Sequence, residues 1–163
     1  MSRIDDLIAE MCPDGVKWMS LGDLGFFYGG LSGKSKEDFT NGNSKYITYM
    51  NAFSNPATSM DISDFVEVST NEKQNTVQFG DVIFTASSET PNECGMSSVI
   101  IQKPEGKVYL NSFCFGFRLY NEKTLSPDFS KHLFRSDKTR KQIIQTASGV
   151  TRFNVSKKKM EKV

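Results

Sequence analysis

The stretch that most constrains this chain is VYLNSFCFGFRLY, residues 108–120. Successive strand side chains point to opposite faces, so an alternation this long predicts a strand with two distinct rows. Tyr109, Asn111, Phe113, Phe115, Phe117 and Leu119 form one row, mostly apolar and expected to be buried. Leu110, Ser112, Cys114, Gly116, Arg118 and Tyr120 form the other. Such a strand needs partners, and aromatic or β-branched runs supply them. YITYM (46–50) reads as a strand, DFVEVS (64–69) as an edge strand, and VIIQ (99–102) as a short buried one. VQFGDVIFTAS (77–87) reads as a bent or paired strand broken at Gly80-Asp81, and VKWMSLGDL (16–24) as a short strand and turn.

Helices are expected at both ends. Residues 3–11 place Ile4, Leu7, Ile8 and Met11 at helical spacing, and Pro13-Asp14-Gly15 ends that helix. Ser126-Pro127-Asp128 is a helix start: a capping serine, a proline at the first position and an acid against the dipole. It opens a basic helical segment over 126–147, in which Phe129, Leu133 and Phe134 supply a first buried stripe. Ser136 then caps a second helix anchored by Ile143 and Ile144 and stopped by Gly149. Ser156 is an N-cap for KKKMEKV. Residues 29–45, 51–63 and 86–98 read as polar or turn-like connections, the first of them flexible and Gly-rich. The expected architecture is a β-rich α+β fold in one domain over 1–163.

A chain of 163 residues buries roughly 70% of its unfolded surface, so its core needs neither disulfide nor metal. Cys12, Cys94 and Cys114 are odd in number and form no C-x-x-C pair. With no signal peptide and no apolar run near the roughly 20 residues of a membrane span, a reducing cytoplasm is the expected home. The net charge of +1 conceals a segregation. Residues 1–130 carry 10 Lys/Arg and 17 Asp/Glu, whereas residues 131–163 carry 10 Lys/Arg and only Asp137 and Glu161. A basic end of this kind points to a polyanion, or to a solvated helix face.

Catalytic motifs fail on inspection. GGLSGKS resembles a phosphate loop, but the required first glycine falls on Tyr28 and no helix follows. His132 is the only histidine and lies beside Lys131 and Arg135 in a helix. Glu105-Gly106-Lys107, taken with Asp81, imitates part of a metal-dependent nuclease site, yet KPEGK reads as a tight turn. Asn55-Pro56 lacks the second proline and aromatic residue of an amino-methyltransferase motif. The chain is therefore expected to be no enzyme and to hold neither cofactor nor metal. What remains is a set of polar and basic residues suited to base edges and phosphates. They are Ser32, Lys34, Ser35 and Lys36; Ser87, Ser88, Glu89, Thr90, Asn92 and Glu93; Lys138, Arg140 and Lys141; and Ser148, Thr151 and Arg152. The helical cations are expected at phosphates, and Arg152 and the loop at 87–92 in a groove.

Four stretches, CPDGVKWMSLGDLG, FGDVIFTASSETPNECGMSSVI, YLNSFCFGFR and ASGVTRFNVSKKKMEKV, together resemble a target recognition domain of a type I restriction-modification specificity subunit. The resemblance runs from about residue 10 to the end. It implies a twisted antiparallel or mixed sheet that performs no chemistry and reads one half of a split double-stranded DNA target. The implied partners are methyltransferase (modification) subunits, restriction subunits through them, and a second recognition domain or second copy. Residues 156–163 match the start of a truncated spacer-helix region. Two other classes stand beside this one: a protein-interaction module with a basic docking segment, and a metal nuclease built on Asp81, Glu105 and Lys107.

Overall fold

The run at 108–120 is two strands, not one. In the computed structural model, which describes residues 2–163, the Asn111 side chain accepts from the Phe113 N–H at 2.8 Å and its carbonyl from the Cys114 N–H at 3.0 Å. That local competition with the ladder closes a turn. It separates β7 (Val108–Leu110) from β8 (Cys114–Leu119) and sends them into different sheets. Phe115 and Phe117 are 3% and 1% exposed, but Phe113 sits in the turn at 55%. The expected phenylalanine row is thus buried except for Phe113.

The first sheet has the order β1-β8-β4-β6, all antiparallel, from β1 (Gly25–Gly29), β8, β4 (Val82–Thr85) and β6 (Ser97–Val99). The second runs β3-β2-β7, with β2 (Ser44–Ile47) antiparallel to the edge strand β3 (Phe65–Val66) and parallel to β7. A small third sheet has the order β5-β10-β9, from β5 (Ser87–Ser88), β10 (Phe153–Val155) and β9 (Ala147–Ser148). The protein is a mixed α+β fold of antiparallel and mixed sheets, as expected.

The four-stranded sheet is covered on both faces. Phe84, Phe115 and Phe117 pack with Leu21, Phe134, Ile143 and Met160. These come from α2 (Leu21–Leu24), the residue after α4 (Pro127–Leu133), α5 (Asp137–Gln145) and α6 (Lys157–Met160). Tyr28, Ile83 and Cys114 face the other way, onto Ile47, Val108, Leu110 and Ala52 of α3 (Tyr49–Ser54). The Tyr28 ring fills the space a side chain would need at its pairing partner Gly116, which explains glycine in a central strand. Burial pushes the Cys114 thiol up to about 12.

Several expectations are corrected by local capping. Residues 12–20 run without regular structure, and a reciprocal Ser20–Asp23 capping box starts α2 where a turn was expected. Thr48 accepts from the Asn51 N–H at 3.2 Å, so the strand at 46–50 stops early and α3 occupies part of the turn-like stretch. The strand expected at 99–102 lies two residues earlier. Ser126 and Ser156 cap as expected, but Phe129 of the expected stripe is exposed. Ser136 flanks α5 without a side-chain cap. α5 ends before Gly149, which lies between β9 and β10. The first helix, α1 (Arg3–Met11), forms as expected but buries none of its residues.

Asp81 ties three neighbouring strands together. It stands immediately before β4 and accepts from Tyr28 Oη of β1 at 2.5 Å. It also accepts from Arg118 Nε and Nη2 of β8 at 2.9 and 2.7 Å, and from the Gln78 N–H at 2.8 Å. The guanidinium lies 4.9 Å from the Tyr28 ring centroid. Burial, reinforced by the Asp81 charge, pushes the Tyr28 phenol far above its usual value, and the hydrogen bond to Asp81 raises Arg118. No helix among the described residues is long and apolar enough to cross a membrane.

The split run makes a contrasting prediction. Phe117→Ala should lose about 3–5 kcal/mol in urea denaturation, while Phe113→Ala should stay within about 0.5 kcal/mol. Equal losses would restore the single long strand.

Candidate nucleic-acid interface

Three segments converge where β8 begins and β4 ends. The Ala86 N–H donates to the Phe113 carbonyl at 2.8 Å, and the Ala86 carbonyl accepts from the Val155 N–H at 2.8 Å. Immediately beyond, β5 pairs with β10, and β10 with β9. The Phe113 turn, the loop after β5 and the β9–β10 hairpin therefore share one backbone framework. At the hairpin tip Gly149 has φ +150°, and a Cβ there would meet the Arg152 carbonyl. The Arg152 guanidinium lies 5.8 Å from the Phe113 ring centroid, with both side chains exposed. Ser148 and Thr151 are exposed beside it.

Two further groups close on this end. Tyr49 of α3 donates its hydroxyl to the Ser87 carbonyl at 2.8 Å. Lys157 of α6 reaches over Gly29, which pairs with Phe115 at the last position of β1.

The loop at 89–95 is held from behind. Arg140 donates to the carbonyls of Gly95, Cys94 and Asn92, the last two at 2.7 and 3.0 Å. The Cys94 thiol donates to the Phe153 carbonyl at 3.3 Å and links the loop to the hairpin. Burial pushes Arg140 down from its usual value and Cys94 up. Glu89, Thr90, Asn92 and Glu93 are left exposed on the outside.

Arg140 is accordingly a correction. It was expected on the solvent side of α5, yet it lies three residues before the buried Ile143, on the same helix face, and is 9% exposed. Ser87 and Ser88 are corrected too, because both are buried in β5. Ser88 Oγ accepts from the Thr90 N–H at 3.1 Å and shapes the loop instead of facing outward.

Lys34 is the third kind of correction. Its side chain is 8% exposed. It donates to the Glu67 carbonyl and the Glu72 carboxylate, both at 2.6 Å. The Lys34 hydrogen bond holds the Glu72 carboxyl below its usual value. Gln74 bonds Ser32 through both backbone groups, at 3.1 and 2.8 Å, so the Gly-rich loop expected to be flexible is tied down. The Ser35 N–H donates to Asp38 at 2.6 Å. Ser32 and Lys36 remain exposed.

Lys138 and Lys141 are exposed on α5, and Lys138 lies off the hairpin surface. Lys138 is at the start of α5, 5.4 Å from the Trp18 ring centroid, and the helix rises about 10 Å from there to its end beside β9. Arg135 also turns inward, donating to the Ser97 and Phe53 carbonyls at 2.8 and 2.9 Å. His132 is exposed on α4. The residues of the nuclease alternative do not assemble. Asp81 is buried against Arg118 and Tyr28, whereas Glu105 and Lys107 sit in the exposed turn before β7. Among the described residues no group of three His, Cys, Asp or Glu is placed to hold a metal.

Sequence reasoning missed Phe113, Tyr49 and Lys157. For Phe113 the available signal was Asn111, a turn-forming residue two positions earlier. Nothing local marked the other two.

No protein-family model and no curated protein sequence matches the chain. A solved structure does: the crystal structure of a type I restriction-modification system S subunit from M. genitalium superposes with a TM-score of 0.53 at 15% identity. The match covers 89% of this chain and 32% of that one. The present chain thus spans about a third of that protein's length. At this identity the likeness is one of fold.

The clamp role of Arg140 is testable by stability alone. Arg140→Ala should cost about 1.5–3 kcal/mol, the range for hydrogen bonds from a charged group. Lys141→Ala, one residue on, should change less than about 0.5 kcal/mol. Equal small effects would place Arg140 outside the fold's support.

Proposed function

We propose that this chain is a DNA target recognition domain, reading one half of a split duplex sequence for a type I restriction-modification complex. The observation that carries the reading is the surface at the β8 start. There an arginine without a carboxylate partner among the described residues is aimed by an exposed aromatic ring, beside a polar loop braced from within. The fold likeness to an S subunit supports it independently.

In this reading the side chains divide by task. Arg152 offers the two-pronged donor that matches guanine O6 and N7, Asn92 the amide that matches adenine, and Glu89 an acceptor for cytosine N4. Ser32, Lys36, Thr90, Ser148, Thr151 and Lys157 take backbone or flanking contacts. Lys138 and Lys141, exposed on α5, meet phosphate rather than base. Arg140, Ser87 and Ser88 support the surface from inside, and Lys34 braces the separate Gly-rich loop. The domain performs no chemistry. Methyltransferase subunits, and restriction subunits bound through them, act on the DNA it selects in a prokaryotic cytoplasm. A second recognition domain or second copy supplies the other half-site.

The test is selection of bound sequences from a random duplex pool, followed by affinity for the winner and its single-base variants. A short half-site should emerge, with log affinity falling against log salt by about 0.9 per phosphate contact. Arg152→Ala should cost about 1–3 kcal/mol and relax preference at one position. Lys141→Ala should weaken all sequences equally. No enriched half-site, or unaltered base preference in Arg152→Ala, overturns the assignment.

A further inference from the structure

α1 is a helix with an apolar stripe that no element among the described residues buries. Ser2 and Asp5 form a reciprocal capping box, so the helix carries its own N-terminal cap. Ile4, Leu7, Ile8 and Met11 lie along one side at helical spacing and are all exposed. An isolated helix of nine residues is marginal in water, so such a stripe is stabilised by being covered. At 100° per residue, Asp5 flanks the stripe on one side and Glu10, next to Arg3, on the other.

The same chain carries a groove of complementary character. It holds about 540 Å³ between the segment before α2, the start of α5 and the end of α6. Trp18, Met19, Leu21, Leu24 and Leu133 give it an apolar lining, and among the described residues its charged lining side chains are Lys138 and Lys162. Trp18 stands at its lip, 84% exposed, with Lys138 across its ring. An exposed tryptophan beside an apolar depression is the residue type that anchors interfaces. Among the described residues, α1 does not enter this groove. Pro13 and Gly15 turn the chain after it, with the Gly15 N–H donating to the Cys12 carbonyl at 2.9 Å and Gly15 at φ +91°.

We propose that the acidic, amphipathic α1 of one copy of this chain seats in the basic, apolar groove beside Trp18 of a second copy. Helix and groove belong to one chain, so the exchange is reciprocal and closes as a two-fold pair. The mode is a helix laid in a groove by its i, i+3, i+4, i+7 residues, with Asp5 and Glu10 meeting Lys138 and Lys162 at the rim. The pairing does not rest on DNA reading and is tested without DNA.

Trp18 is the only tryptophan in the chain, which makes it an internal reporter. Sedimentation velocity and tryptophan emission are followed together over a dilution series of the full chain. The mass should double with concentration, and the emission should shift to the blue in step as Trp18 leaves water. Ile8→Asp should abolish both changes while leaving the melting temperature of the dilute protein unaltered, because α1 buries nothing in the single copy. Lys138→Glu should weaken the pair, and Glu10→Lys in the same chain should restore it in part. A monomer at every concentration overturns the proposal. So does a dimer that Ile8→Asp leaves intact, since its interface lies elsewhere. A monomer whose Trp18 emission moves to the red on Ile8→Asp also overturns it, because α1 then covers its own groove.

Discussion

The Asp81 carboxylate fixes the register on which the rest of the molecule depends. Its partners stand on β1, β8 and the approach to β4, and all three strands are neighbours in one sheet. Strand side chains alternate with period two, so a one-residue slip of β8 would turn Arg118 away from Asp81. The same slip would carry Phe115 and Phe117 off the helix-covered face. A buried ion pair contributes little net stability against an apolar replacement, but losing one partner strands a charge. The network therefore acts chiefly against wrong registers. Because the register is set at the Arg118 end of β8, the position of Phe113 in the turn at its other end follows, about five strand steps or 16 Å away.

Basic residues in this chain do two different jobs. The segregation of charge toward residues 131–163 is real in the sequence, but Arg135 and Arg140 of that segment point inward and donate to backbone carbonyls. Arginine suits that work: its planar fork meets several carbonyls at once and its charge persists under partial burial. Lys34 does the same at another loop, closing on a carbonyl and a carboxylate. What remains outside is a smaller set, Lys36, Lys138, Lys141, Arg152 and Lys157 among them. A charge count overstates the cationic surface wherever loops need internal donors.

What could be read from the sequence was local. The Ser126-Pro127-Asp128 start, the Ser156 cap, the edge strand at β3 and the helix at 3–11 each follow from a few adjacent residues. The failures have equally definite causes. Asn111 interrupts an alternation that spans it, because its side chain and carbonyl offer the next residues a turn. Thr48 and Ser20 start helices inside stretches read as strand or turn. Arg140 joins carbonyls about 45 positions away, and no local pattern records such a partner. The candidate surface was legible as segments, the loop at 86–98 and the stretch at 148–152. Its assembly around Phe113 was not, since that depends on β5 pairing with β10 across the fold.

This construction separates the exposed side chains of the candidate surface from the bonds that fold it. The segments at the candidate surface are joined through main-chain groups: Ala86 to Phe113 and Val155, β5 to β10, and Arg140 to three carbonyls. None of those bonds uses the side chains of Arg152, Thr151, Glu89 or Asn92. Exchanging these residues changes the pattern of donors and acceptors offered outward without removing a ladder bond or opening a cavity. Gly149 is the exception, because its φ and the nearby Arg152 carbonyl leave no room for a side chain. A scaffold of this kind tolerates variation at the tip residues and resists it at Gly149, Arg140 and Asp81. Loops on a rigid scaffold are where outward chemistry can vary, and here the scaffold bonds and the variable side chains involve different atoms.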